Sequence, residues 1–129
     1  GNWLAYISDE SGQFEVYVTS FPEPGRKWQI SSGGGTEPRW DPKGAGIYHF
    51  SPNNEFVFVE TTHDGSSFAV GATRKLFESN SEIYYRVAPR GDKLLVLEDA
   101  DEGSISPLTL VTNWTVDLEN RGRQQAVRR

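Results

Sequence analysis

Apolar residues recur along the chain in short runs with the period of β-strands, separated by clusters of turn residues. The run Trp3–Ile7, for example, ends at the polar cluster Ser8–Gly12. Clusters rich in Gly, Pro, Asp and Ser end the other runs in the same way. The pattern predicts ten strands, at Trp3–Ile7, Phe14–Thr19, Trp28–Ser31, Thr36–Trp40, Ile47–Phe50, Phe56–Glu60, Thr73–Phe77, Ile83–Val87, Leu94–Leu97 and Leu108–Thr112.

Only one stretch departs from this rhythm. Residues Asn113–Asn120 have a pattern typical of a short helix, with Asn113 placed to cap its first turn. We therefore expect an all-β protein that ends in one short helix and a basic tail over residues 121–129.

An internal repeat organises the predicted strands. The segment Arg39–Gly44 aligns with Arg86–Gly91 at an offset of 47 residues, and each copy precedes a short apolar strand. A second alignment matches Tyr6–Ser8 with His49–Ser51, and the strand after each copy begins at Phe14 or Phe56 in this alignment. Its offset is 43 residues at the serine and 42 at the phenylalanine. Units of four short strands that repeat every 40 to 50 residues or so are typical of β-propeller blades.

The repeat divides the chain into about three blades of unequal completeness. We expect an incomplete first blade over residues 3–31, a complete four-stranded blade over 36–78, and an incomplete last blade with the short helix over 82–120. Because closed propellers typically have at least four blades, the partial propeller of residues 3–120 is expected to be the C-terminal part of a larger ring. Its open blade edges predict self-association, or pairing with missing upstream blades of the same polypeptide.

The repeated turn also carries a family resemblance. Glu37–Gly44, followed by Ile47 and Tyr48, resembles the Pro-x-Trp-Ser-Pro-Asp-Gly repeat of TolB-like β-propellers. The wider run from Trp3 to Trp40, with the closing segment Ser106–Trp114, is similar to the last blades of bacterial propellers that are often fused to serine/threonine protein kinases. Lys43, Ala88 and Arg90 depart from the repeat, and we expect them to weaken turn capping without changing the fold.

This resemblance implies a non-catalytic scaffold for protein interaction or sensing, with an extracytoplasmic or periplasmic location. No kinase catalytic motif is present in the sequence, so the association with kinases transfers no activity to this chain. The alternative function is an accessory propeller that gates substrate to a hydrolase or peptidase. The sequence of the neighbouring domain distinguishes these two functions.

Composition and charge exclude several classes of site. The chain has no cysteine, which excludes disulfides, cysteine metal sites and thiol catalysis. Four arginines after position 120 leave the remaining chain with 9 basic and 18 acidic residues, a net charge of −9 that argues against a nucleic-acid surface. No apolar run approaches the roughly 20 residues of a membrane span, and no cofactor or metal ion is expected. There is no methionine, so we expect that Gly1 does not begin the nascent chain.

The candidate binding residues occupy the predicted inner strands. Arg39 and Arg86 align in the repeat, and a propeller would place them near its central channel, where propellers commonly bind ligands. Ion pairs between blades are the structural alternative for these positions. The candidate binding set has five members: Glu37, Arg39, Trp40, Tyr84 and Arg86.

Other polar features favour structural roles. The pattern favours a packed core histidine at position 49 and a turn residue at His63. The acidic segment Glu98–Gly103 has Asp at two suitable calcium-loop positions but lacks the closing Glu, so a solvated loop is the simpler interpretation. Residues Gly33–Gly35 precede no helix, which favours a flexible link between blades over a phosphate loop.

Overall fold

The computed structural model describes residues 2–79, 83–98 and 109–112, and for Ile83, Glu98 and residues 109–112 it describes the backbone alone. These residues form an all-β, antiparallel structure, which confirms the predicted fold class at this level. The predicted helix at 113–120, the basic tail and most of the acidic segment lie outside the described residues. The strands are β1 (Trp3–Ser8), β2 (Glu15–Ser20), β3 (Lys27–Gln29), β4 (Thr36–Trp40), β5 (Gly46–Phe50), β6 (Glu55–His63), β7 (Phe68–Glu78), β8 (Ile83–Val87), β9 (Lys93–Glu98) and β10 (Thr109–Thr112).

The strands form three sheets in which neighbours in sequence are neighbours in space. β1 to β3 form one sheet, β4 to β7 a second and β8 to β10 a third. The first two sheets belong to one compact unit, Gly1–Asn80, and the third belongs to the unit Ser81–Arg129. The second sheet thus has four strands in the described residues, which is the number that the repeat predicts for one unit.

The core of the first unit lies between its two sheets. Strands β2 and β5 are buried along most of their length, which explains why apolar residues occupy consecutive positions there rather than strictly alternate ones. The partly buried residues Trp3, Ala5, Trp28 and Trp40 pack against this core. Its buried members are Val16, Val18, Ile30, Ile47, Val57, Val59 and Phe68.

The 47-residue repeat is reproduced in backbone hydrogen bonding. In the first copy the amide of Gly44 donates to the carbonyl of Asp41 at 2.8 Å. In the second copy the amide of Gly91 donates to the carbonyl of Ala88 at 2.8 Å. Both glycines have positive φ, at 75° and 65°, a conformation that a side chain disfavours. The loss of the side-chain cap at Ala88 therefore leaves the turn unchanged, as the sequence predicted.

Strand register corrects the second alignment. Ser8 pairs with Glu15, and the amide of Ser51 donates to the carbonyl of Glu55. Six residues separate the first pair and three separate the second, so the two loops differ by three residues rather than by one. The phenylalanine match between positions 14 and 56 was wrong, because it placed the second strand two residues out of register.

The hairpin of β6 and β7 is longer than predicted. Strand β6 continues to His63 and β7 starts at Phe68, and these two residues pair across the hairpin. The polar residues between Glu60 and Thr73 obscured this extension, since outer strands need only one apolar face. His63 is therefore the last residue of a strand, and its prediction as a turn residue was wrong.

Among the described residues, no helix is long and apolar enough to cross a membrane.

Candidate functional site

Three of the five predicted binding residues lie on β4. Glu37 has a left-handed backbone with φ of 53°, and the pairing of β4 with β5 is irregular between Thr36 and Arg39. Pro38 explains the irregularity, because it has no amide hydrogen to donate to the ladder. The bulge brings Glu37 and Arg39 together, and their side chains form an ion pair of 3.2 Å that is 45% and 40% exposed. Such exposed pairs contribute little to stability, so both groups can exchange partners at low cost.

The aligned arginines share a local arrangement. Arg39 and Arg86 occupy equivalent register positions, opposite Tyr48 and Leu95. The Nη1 atom of Arg86 donates to the carbonyl of Tyr85 at 2.9 Å, and that of Arg39 reaches the carbonyl of Pro38 at a longer 3.5 Å. The repeat is thus preserved at the arginine side chains within each unit.

Tyr84 lies on the same face of the third sheet as Arg86. Its side chain is 69% exposed, and it lies opposite Leu97, which is 49% exposed. Phe50, the residue of the second sheet equivalent to Leu97, is only 8% exposed. Tyr84 and Leu97 therefore form a small exposed apolar pair on their unit, suited to contact with another surface.

Trp40 belongs to a different face of β4. Successive residues of a strand point to opposite faces, so Trp40 is directed away from Arg39 and its ion pair. It lines an open groove of about 450 Å³ in the first unit, at one end of both sheets. The structure therefore does not bring the predicted residues of β4 into one site. The groove beside Trp40 is a better candidate for a binding site than the exposed ion pair of Glu37 and Arg39.

Aromatic rings from distant parts of the sequence form the groove walls. The indole nitrogen of Trp3 donates to the carbonyl of Asp64 at 3.0 Å, which ties the start of β1 to the tip of the β6–β7 hairpin. The ring of Trp40 meets that of His63 edge to face, with centroids 5.8 Å apart. Behind them, Phe68 is buried and stacks on His63 at 6.1 Å. The buried Phe68 ring thus holds the exposed His63 ring in place.

Asp64, one of the residues that line the groove, has an ionised carboxylate. Asp64 accepts hydrogen bonds from the backbone amides of Ser66 at 2.7 Å and Ser67 at 2.6 Å. These two amides, with the Ser66 and Ser67 side chains, hold the pKa of Asp64 well below its usual value. Asp64 therefore carries a negative charge over the ordinary pH range.

Asp41, at the base of the groove, has a structural role. Its carboxylate accepts a hydrogen bond from the amide of Ala45 at 3.1 Å and another from the hydroxyl of Tyr48 at 3.3 Å. Burial, together with the charge of Asp41, raises the pKa of Tyr48, so the phenol stays protonated and continues to donate. These bonds fix the β4–β5 turn that shapes the groove floor.

The glycine-rich link already holds an anion from within the chain. Glu15 is 2% exposed, and its carboxylate accepts a hydrogen bond from the amide of Gly34 at 2.9 Å. The hydroxyl of Ser31 and the side-chain amide of Gln13 also donate to it. Burial raises the pKa of Glu15, but these hydrogen bonds outweigh it, and the net shift is downward. The link therefore holds a carboxylate of the chain itself, and its role as a flexible connection between blades stays a prediction.

Of the residues that line the groove, the candidate binding set contained only Trp40, and the residues that it missed include Trp3, His63 and Asp64. Asp64-Gly65 is a strong hairpin signal, and it could have revealed the turn that places His63 at a strand end. Nothing in the sequence indicates that Trp3 contacts Asp64, which lies 61 positions further along the chain.

The described residues contain no group of three or more His, Cys, Asp or Glu that could hold a metal ion. His49 is buried in β5, as predicted, and does not line the groove. Comparisons of the chain with protein-family models, curated proteins and solved structures found no match.

Proposed function

We propose that the chain is a non-catalytic interaction module built from TolB-like propeller blades, covering residues 3–31, 36–78 and 82–120. The support is the sequence repeat together with its structural counterpart, in which Arg39 and Arg86 occupy the same register at an offset of 47 residues. Three sheets of consecutive antiparallel strands are compatible with this architecture.

The groove carries the functional part of the proposal. Its volume of about 450 Å³ suits one or two side chains of a protein partner, within the usual range of ligand pockets. Trp3, Trp40 and His63 line the groove and offer aromatic contact, and Asp64 adds a negative charge. Aromatic residues beside a carboxylate favour a basic or aromatic side chain of the partner. The partner is therefore a protein segment that presents such a side chain.

The test is selection of peptides that bind the chain. The probe is a displayed library of random peptides selected on the immobilised 129-residue chain, with affinities then measured by fluorescence polarisation. We expect selected peptides to contain Lys, Arg or an aromatic residue. His63→Ala removes an exposed wall of the groove, and it should weaken binding about tenfold or more. Phe14→Ala removes an exposed ring elsewhere in the first unit and should leave affinity unchanged.

Two outcomes would contradict the proposal. Equal binding by the wild type and the His63→Ala variant would remove the groove as the binding site. Cleavage of peptides or model esters by the purified chain, above the rate in buffer, would contradict the non-catalytic part of the proposal.

A further inference from the structure

Strand β1 forms one edge of the first sheet. It pairs with β2 through six consecutive residues without a register shift, and among the described residues it pairs with no other strand. The backbone groups on its other side thus have no strand partner among the described residues. Such an edge templates pairing with another chain unless something blocks it.

The other edge strands of the first unit are blocked. β3 has only three residues, β4 contains Pro38 and a register break, and β7 presents the charged side chains of Arg74 and Lys75. Short length, proline, bulges and charge are the devices by which proteins protect sheet edges.

β1 has none of these devices. Its six residues, Trp-Leu-Ala-Tyr-Ile-Ser, include no charge and no proline. Leu4 and Ile7 are each 46% exposed, on opposite faces of the strand. The equivalent strand β5 is buried along its whole length, and it carries β4 on the edge that corresponds to the free edge of β1. β1 thus has the composition of an interior strand.

We propose that β1 is a strand-addition surface that binds β1 of a second copy of this chain, antiparallel, across a twofold axis. Side chains alternate between the two faces of a sheet along each strand, and directly opposed residues of neighbouring strands share a face. In a symmetric antiparallel pair, the twofold axis must therefore lie between one residue and its own copy. An axis at Ala5 places Leu4 opposite Tyr6 of the second copy, and Trp3 opposite Ile7. These are the aromatic–aliphatic pairs that stabilise neighbouring strands, and no charge opposes a like charge. The two three-stranded sheets then become one sheet that crosses the dimer.

Cross-linking tests the register directly, because the chain has no cysteine of its own. In the proposed dimer the two Ala5 residues are directly opposed, at the Cα separation of about 4.5 to 5.5 Å that a disulfide accepts. Ala5→Cys should therefore form a covalent dimer under mild oxidation. The matched control is Ser8→Cys on the same strand, whose two copies lie about 20 Å apart in this register and should not cross-link.

Solution mass tests the interface without a disulfide. Light scattering of the wild type over a concentration series should show the mass of two chains. The double variant Leu4→Lys/Ile7→Lys should raise the dissociation constant of the dimer about tenfold or more. Val70→Lys places the same charge at an exposed apolar position on β7 and should leave the dimer intact. Circular dichroism confirms that each variant remains folded.

Three results would overturn the proposal. They are a wild type that is monomeric at every concentration, a dimer that survives the lysine pair, and cross-linking through position 8 but not position 5. Since peptide binding at the groove is measured with different variants, failure of the dimer leaves the proposed function to be judged by its own test.

Discussion

At the residue scale, burial decides what the two histidines do. His49 lies in the middle of β5 and is 3% exposed, whereas His63 stands at the exposed end of β6. Burial lowers the pKa of His49 from 6.5, although the charge of Glu15 partly opposes this shift. The folded chain therefore holds His49 in the neutral form over a wider pH range than the unfolded chain does.

This difference predicts that acid destabilises the protein through His49. A depressed folded-state pKa means that the unfolded chain binds the proton more readily, so the free energy of unfolding falls as the pH drops below about 6.5. Urea unfolding at pH 7.5 and 5.5 measures this loss. His49→Leu should flatten the pH dependence between these values, and His63→Gln, which removes the exposed histidine, should retain it. A slope that His49→Leu leaves unchanged would assign the titration to another group.

Glu15 shows how little a residue's type reveals about its role. As a glutamate at the start of an apolar strand, it has the sequence appearance of a solvated end. In the structure its carboxylate is buried and accepts hydrogen bonds from Ser31 and the amide of Gly34. Glu55, the residue at the equivalent register position, instead forms an ion pair with Lys75. The glycine link beside Glu15 makes the difference, since its amides need an acceptor.

At the element scale, the β6–β7 hairpin supports the groove. Its first inward residue, Phe68, is 7% exposed and touches the rings of Trp3, Trp28 and Trp40. The ring centroids of Trp3 and Trp28 each lie 5.2 Å from that of Phe68. One side chain of the β6–β7 hairpin thus contacts tryptophans from both the first and the second sheet.

Removal of this side chain should therefore cost both stability and binding. We expect Phe68→Ala to lower the free energy of unfolding by about 3–5 kcal/mol, because it deletes a buried ring and leaves a cavity. Urea unfolding followed by tryptophan fluorescence measures the change. Val70→Ala, at a position of the same strand that is 40% exposed, should change stability by less than about 0.5 kcal/mol. Equal effects of the two substitutions would show that Phe68 does not support the core.

At the scale of the whole molecule, the chain divides into two compact units. The buried cluster of the first unit lies entirely within residues 16–68, inside the unit Gly1–Asn80. A unit that holds its own core is expected to fold independently of the rest of the chain.

A polypeptide of residues 1–80 should accordingly retain tertiary structure. We expect it to unfold cooperatively in urea and to keep the near-ultraviolet circular dichroism of the Trp3–Trp28 edge-to-face pair, whose centroids are 5.5 Å apart. Substitution of Phe68 by Ala in this polypeptide is the control, since it should abolish or weaken the same signal. A featureless near-ultraviolet spectrum of the unsubstituted polypeptide would mean that the first sheets depend on residues beyond 80.

The sequence by itself determined the order and approximate positions of the strands and the turns of the 47-residue repeat. All of these depend on local chemistry: apolar alternation along a strand, and glycine at the left-handed positions of the repeated turns. The arginine repeat was visible for the same reason, because its 47-residue offset needs only an alignment of the chain with itself. Propeller closure stays a prediction.

Only the tertiary structure decided which residues meet. Trp40 was a candidate from the sequence, but its groove partners Trp3 and Asp64 lie at the start of β1 and at the tip of a hairpin, 61 residues apart. Local patterns specify which face of a strand is apolar, whereas contacts across sheets depend on how those faces pack, which no local pattern records.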